Sequence, residues 1–197
     1  MIYTAALKIA ERLRLTLRDY CERVEIAGSI RRKSAQVHDI ELVALPKLHT
    51  VVDMFGGTST PRSQLDLFPW PSLGQVIKNG PRFKQIAITR KDITLDLFVV
   101  LAPAQWGVLY TLRTGPKDFS QWCVTRRNVG GALPSDSHVE NGVVLKDGFW
   151  QETGDGMRMI GGDAVPMPEE QDFLDYLGLG WIEPSARKAG WRYAKKD

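Results

Sequence analysis

Asp39 and Glu41 stand one residue apart inside an otherwise apolar run, Asp39-Ile40-Glu41-Leu42-Val43-Ala44-Leu45, closed by Pro46. A short apolar-rich segment that ends at proline predicts a strand rather than a helix. In a strand, residues i and i+2 project from the same face, so both carboxylates stand together while Ile40 and Leu42 pack behind them. Like charges that close repel unless a divalent ion neutralises them. Oxygen-only ligands suit a hard ion such as Mg²⁺, which takes one or two carboxylates and completes its shell with water and substrate phosphates. Taken alone, the pair is also compatible with a surface hairpin carrying ordinary solvated acids.

The residues upstream weigh against the hairpin. Val24-Glu25-Ile26-Ala27 reads as a strand running into Gly28-Ser29, followed by Arg31, Arg32 and Lys33. A tight turn that offers a hydroxyl, backbone N–H groups and guanidinium donors is a phosphate cradle.

At 197 residues and 43% hydrophobic, the chain can bury a core as one domain or two small subdomains. The net charge is only +3, yet the sequence pI is 8.9, which leaves room for a polyanionic partner. Cys21 and Cys123 lie far apart and belong to no Cys-x-x-Cys or Cys/His cluster, so neither a disulfide framework nor a zinc site is indicated and buried reduced thiols are expected. The opening run from Met1 meets Glu11 and Arg12 too soon for a signal peptide or a membrane span. The expectation is an intracellular, unsecreted monomer, cytoplasmic or within a host cell, with no membrane partner.

Along the chain, Ala5, Ile9, Leu13 and Leu17 place an amphipathic helix over residues 4–20. Strands are expected near 24–27, 39–45, 82–88 and 93–100, with helical segments near 47–55 and 72–79. Phe55-Gly56-Gly57-Thr58-Ser59-Thr60-Pro61 has loop chemistry. Helices are expected from Pro103 through Thr111, after Pro116, where proline suits a first turn, and around 168–177 behind Pro168-Glu169-Glu170. Residues 129–162, rich in glycine and polar residues with short runs such as Gly142-Val143-Val144-Leu145, predict a small antiparallel sheet.

Gly28-Ser29-Ile30-Arg31-Arg32, followed at this spacing by an acid-x-acid strand, resembles the DNA polymerase β superfamily of nucleotidyltransferases, and within it the family X DNA polymerases. The likeness continues through Ile93-Thr94-Leu95-Asp96-Leu97-Phe98, Trp106-Gly107-Val108-Leu109-Tyr110, Thr114-Gly115 and Leu177-Gly178-Leu179-Gly180-Trp181-Ile182-Glu183-Pro184 with Arg187. The fold that this resemblance implies is α+β. It comprises a polymerase β-like palm with a mixed sheet and helices over residues 1–103, and a small C-terminal α+β subdomain over 104–197 that binds nucleotide and template. The resemblance is to the minimal viral or phage-type forms, and the expectation is a protein without the lyase and helix-hairpin-helix segments of larger members.

The resemblance implies two-metal transfer of a nucleotidyl group from a nucleoside triphosphate to a primer 3′-hydroxyl on primer-template or gapped DNA, in gap filling or repair. Asp39 and Glu41 would bridge two Mg²⁺ ions, with Mn²⁺ as the alternative, and Asp96 would bind the ion that activates the hydroxyl. Gly28, Ser29, Arg32 and His38, with Arg113, Thr114, Gly115 and Ser120, would face the nucleotide, whereas Arg31 would face outward or support the turn. The string Leu-Asp-Leu-Phe also occurs at 65–68, so Asp66 competes with Asp96 for the third-carboxylate role. Asp66 is cut off by Pro69 and Pro71, which disfavour a central strand, and Asp96 is the choice.

Three departures mark this chain. Glu41 stands where the family usually has Asp. Leu112-Arg113-Thr114-Gly115 stands for Tyr-Phe-Thr-Gly, so the two aromatics that line the nucleotide sugar in the family are replaced and the choice between deoxyribo- and ribonucleotides stays open. Ser120 stands where Asn often reads the base edge. Family members have a cis peptide after the glycine, and here Pro116 follows Gly115, where cis costs only about 0.5–1 kcal/mol, so a cis Gly115–Pro116 bond is expected. DNA contacts would fall to Arg126 and Arg127 on the post-Pro116 helix and to a basic tail of Arg187, Lys188, Arg192, Lys195 and Lys196 with Trp191 and Tyr193 interleaved. Two alternatives stay open: a transferase of the same fold acting on RNA, a small molecule or a protein, and a catalytically silent module that binds nucleotide or DNA.

Overall fold

Apolar residues recur at helical spacing near the N-terminus and alternate along the segments that follow, and these two periods build the first half of the molecule. The computed structural model describes residues 1–50, 61–89, 91–153, 156–160 and 162–190. The protein is α+β and divides into two compact units, Met1–Leu101 and Ala102–Asp197.

In the first unit, helix α1 (Tyr3–Leu17) buries Ala6, Ala10, Leu13 and Leu17. The stripe starts one residue later than a strict four-residue spacing predicts, because 3.6 residues per turn alternates steps of four and three. Strand β1 (Cys21–Ile26) leads into a single helical turn, α2 (Gly28–Arg31), and then into β2 (Asp39–Pro46). After the short pair β3 (Leu48–His49) and β4 (Arg62–Ser63) come β5 (Gly74–Asn79), β6 (Phe83–Ile88) and β7 (Thr94–Val99). The sheet order is β1-β2-β7-β6-β5. Only β2 and β7 run parallel, so the sheet is mixed. One face carries Val24, Ile40, Leu42, Ala44, Ile86, Leu95, Leu97 and Val99 and packs with the buried stripe of α1 in one core.

Two of the expected helices are strands or contain strand. Residues 74–79 are an edge strand rather than a helix, since Gly74 brings its backbone so close to Ala87 O that a Cβ would collide there, and the Asn79–Gly80 corner returns the chain to β6. Leu48–His49 pairs with Arg62–Ser63 as strand where a helix over 47–55 is predicted, and residues 51–55 of that helix and most of the 55–61 loop lie outside the described residues.

In the second unit, α3 (Trp106–Thr114) and α4 (Lys117–Val124) precede an antiparallel region. It consists of β8 (Ser137–Glu140) and β9 (Val143–Lys146), the pair β10 (Phe149–Thr153) and β11 (Gly156–Ile160), and β12 (Ala164–Val165), which joins β9. Helix α5 (Glu170–Tyr176) opens with a reciprocal capping box between Glu169 and Asp172. A second core gathers Val108, Phe119, Trp122, Cys123, Leu133, Val144, Met167, Phe173, Leu174 and Leu177. Gly107 lets α3 approach the chain before α5: its N–H donates to Met167 O at 3.0 Å, and a Cβ would overlap Glu169 O.

The expected cis bond at Gly115–Pro116 is not found; the cis peptide among the described residues is Ala102–Pro103. Pro116 instead enters α4 in the trans form, its carbonyl accepting from Ser120 N at 2.9 Å, and its fixed φ of −66° already suits a helix start. Both cysteines are free and buried, as the sequence predicts, and burial pushes each thiol up to about 12 against weaker opposing effects of Lys47 on Cys21 and Arg187 on Cys123. No helix among the described residues is long and apolar enough to cross a membrane.

Candidate active site

The parallel pairing of β2 with β7 sets the geometry. Its register places Asp39 beside Thr94 and Glu41 beside Asp96. On β2 the intervening Ile40 and Leu42 are buried, and on β7 so are Leu95 and Leu97, so the three acids share the opposite face of the sheet. Asp66 is elsewhere. It lies in a 3-10 turn (Gln64–Leu67), where its Oδ1 accepts from the buried Lys84 Nζ at 3.2 Å.

The turn after β1 closes over this face. Ala27 N–H donates to Glu41 O at 2.9 Å, which ties the entry of the turn to β2. Gly28 adopts φ +58°, and a Cβ built there would overlap Glu41 Oε2, so only glycine lets the Glu41 side chain lie against the turn. Ser29 Oγ is buried and has no hydrogen-bond partner. A buried hydroxyl left unpaired costs about 1–3 kcal/mol, so this atom is suited to an incoming acceptor. Arg31 and Arg32 are half-buried and both hold interactions within the protein, and His38 is exposed next to Asp39. Gly28→Ala should therefore cost about 2–4 kcal/mol, from the left-handed backbone and the displaced Glu41, read as a lower urea midpoint with an unchanged slope.

Gln85 on β6 pairs with Asp96 in register, and its Nε2 donates to Asp96 Oδ1 at 2.9 Å. This contact was missed at the level of sequence; the signal was the alternation Phe83-Lys84-Gln85-Ile86, which sets Gln85 on the face opposite the buried Lys84 and Ile86.

Asp39, Glu41 and Asp96 form an oxygen-only donor set of the kind a hard divalent ion accepts. Neighbouring strands lie about 4.8 Å apart, so side-chain rotation alone can bring Glu41 and Asp96 onto one ion. As the side chains stand, Glu41 leans on Gly28 and Asp96 is held by Gln85, and no group of three or more His, Cys, Asp or Glu among the described residues is gathered tightly enough to hold a metal.

The remaining predicted residues belong to the second unit. Arg113 is exposed at the end of α3, Thr114 is fully buried, and Gly115 is in contact range of α4, where a Cβ would press on Phe119. Ser120 Oγ donates to Leu112 O at 2.6 Å, joining α4 to the last turn of α3. Arg126 and Arg127 follow α4 rather than lying on it. Arg126 bonds Ser137 O and Asp147, and Arg127 bonds Ala132 O and Leu177 O. Both thus brace their own unit.

Lys188 is exposed, whereas Arg187 is buried and bonded to Glu170, which removes it from the expected basic surface. Trp191, Arg192, Tyr193, Lys195 and Lys196 lie outside the described residues.

No family model matches the chain, and no curated protein matches its sequence. The fold defines a class, an α+β protein whose mixed sheet presents three acids on one face.

Proposed function

We propose that the chain is a DNA polymerase of the family X type, with a polymerase β-like palm, which transfers a nucleotidyl group from a nucleoside triphosphate to a primer 3′-hydroxyl in gap filling or repair. The observation that carries this is the register of the parallel pair, which sets Glu41 beside Asp96 beneath the Gly28–Ser29 turn. Clustered acids under a turn with an orphaned hydroxyl are of no use to a protein that only binds nucleic acid phosphates, because they repel them.

Asp39, Glu41 and Asp96 would hold the divalent ions, which when bound neutralise charge on the attacking and leaving oxygens. Ser29 Oγ would donate to a phosphate oxygen of the nucleotide and so relieve its own burial cost. Arg32 would add a charge-assisted contact to the triphosphate. Gly28, by admitting the Glu41 side chain against the turn, couples the phosphate end of the site to the metal end. Catalysis of this kind is positioning and charge neutralisation, with no covalent intermediate on the protein.

The test is primer extension on one-nucleotide-gapped DNA with Mg²⁺ or Mn²⁺, offering deoxyribo- and ribonucleotides in parallel. Incorporation that follows the template base is the expected result. Untemplated transfer to RNA, a small molecule or a protein would favour a different acceptor on the same fold. Nucleotide binding without any transfer would identify a silent module.

A further inference from the structure

The face that carries the acids is otherwise partly apolar. One row along the same strands, Phe83 and Phe98 stack with ring centroids 5.1 Å apart, and Val43 pairs with Phe98 in register. An apolar side chain at position 85 would pack against such neighbours without needing a partner, whereas a half-buried amide requires one. Gln85 has one in Asp96. A carboxylate only accepts, so the amide nitrogen must be the atom that faces it. The β6 backbone is paired on both sides, to β5 and to β7, and this fixes where the Gln85 side chain starts. Glu41, Asp96 and Gln85 thus form one continuous row across β2, β7 and β6.

We propose that Gln85 is a positioning residue that sets the Asp96 carboxylate for metal binding, an assignment that rests on the nucleotidyl-transfer function proposed above. The Gln85 bond occupies one of about four lone-pair sites on the carboxylate, so Asp96 can accept it and still ligate an ion. Hydrogen-bond partners of ligating carboxylates orient the ligand, and losing one typically lowers metal affinity 10- to 100-fold.

The experiment is a Mn²⁺ titration followed by electron paramagnetic resonance, which reads binding without turnover. It compares the wild type, Gln85→Met, Asp96→Asn and the double variant. Gln85→Met keeps the length of the side chain and removes the donor. Its Mn²⁺ dissociation constant should rise 10- to 100-fold, and the gain should vanish in the Asp96→Asn background, because Gln85 acts only through Asp96. In extension assays excess Mn²⁺ should restore the Gln85→Met rate but not that of Asp96→Asn. Wild-type affinity in Gln85→Met beside a loss in Asp96→Asn would overturn the role of Gln85 and leave the polymerase function standing. Equal losses in both backgrounds would assign Gln85 a general structural part and also overturn it. Indifference of Mn²⁺ binding to Asp96→Asn would remove the metal role of Asp96, and with it both proposals.

Discussion

Asp96→Asn should lower templated extension on gapped DNA by about 10²- to 10⁴-fold while leaving the unfolding free energy from urea denaturation within about 0.5 kcal/mol of wild type. The magnitude follows from the chemistry. An ion held by three acids contributes several kcal/mol of charge stabilisation in the transition state, and about 1.4 kcal/mol is worth tenfold in rate. Asn keeps the shape of Asp but offers a neutral oxygen in place of a charged one. The matched control is Asp66→Asn, in the identical Leu-Asp-Leu-Phe string. Asp66 pairs with Lys84, whose side chain is 2% exposed and which also bonds Asn79 and lies 5.5 Å from the Trp70 ring. Asp66→Asn should therefore destabilise by about 1–3 kcal/mol through a less satisfied buried lysine, with kcat unchanged. Gap-filling kinetics beside urea denaturation separate the two. Equal rate losses in both variants would mean that β7 is not the strand that carries the chemistry.

The two copies of Leu-Asp-Leu-Phe also mark the boundary of what sequence can tell. Around 95–98 the long, mostly apolar run from Ile93 to Leu101 forced a strand, while at 65–68 the prolines at 69 and 71 ended one before it began, and the structure has a 3-10 turn there. Strands β2, β6 and β7 were legible because each buries every second residue on one core. Strand β5 was not, because its residues are mostly exposed and its place is fixed by the backbone approach of Gly74 to Ala87.

At the site, the shared face of Asp39 and Glu41 follows from the period of a strand alone. The neighbour relation of Glu41, Asp96 and Gln85 does not, since it depends on the register of β7 against β2, far from it in sequence, and against β6. The partners of the basic residues were hidden for a related reason: charge reads as solvated from sequence, yet Arg126, Arg127 and Arg187 all find acceptors within their own unit.

Arg187 leads to the largest expected loss of stability. Its side chain is fully buried, with Nη1 on Glu170 Oε1 at 2.7 Å and Nε on Ile182 O at 3.1 Å, and its guanidinium lies 5.9 Å from the Phe119 ring and 5.7 Å from that of Trp181. Nη2 has no hydrogen-bond partner, so the cation depends heavily on one carboxylate. Glu170→Ala strands that charge away from water and should cost about 3–5 kcal/mol in urea denaturation. The buried thiol of Cys123, against the same core as Phe119, supplies a second measurement. Its labelling by a thiol reagent requires opening, and should accelerate by about 10²- to 10⁴-fold if opening tracks that loss. Cys21, in the other unit, reports whether the loss spreads beyond residues 102–197. Pairing Glu170→Met with Arg187→Met should recover most of the stability, because two apolar side chains carry no desolvation cost. A double variant no more stable than Glu170→Ala would show that the stacking of Arg187 between Phe119 and Trp181, rather than its ion pair, holds the C-terminal segment to this core.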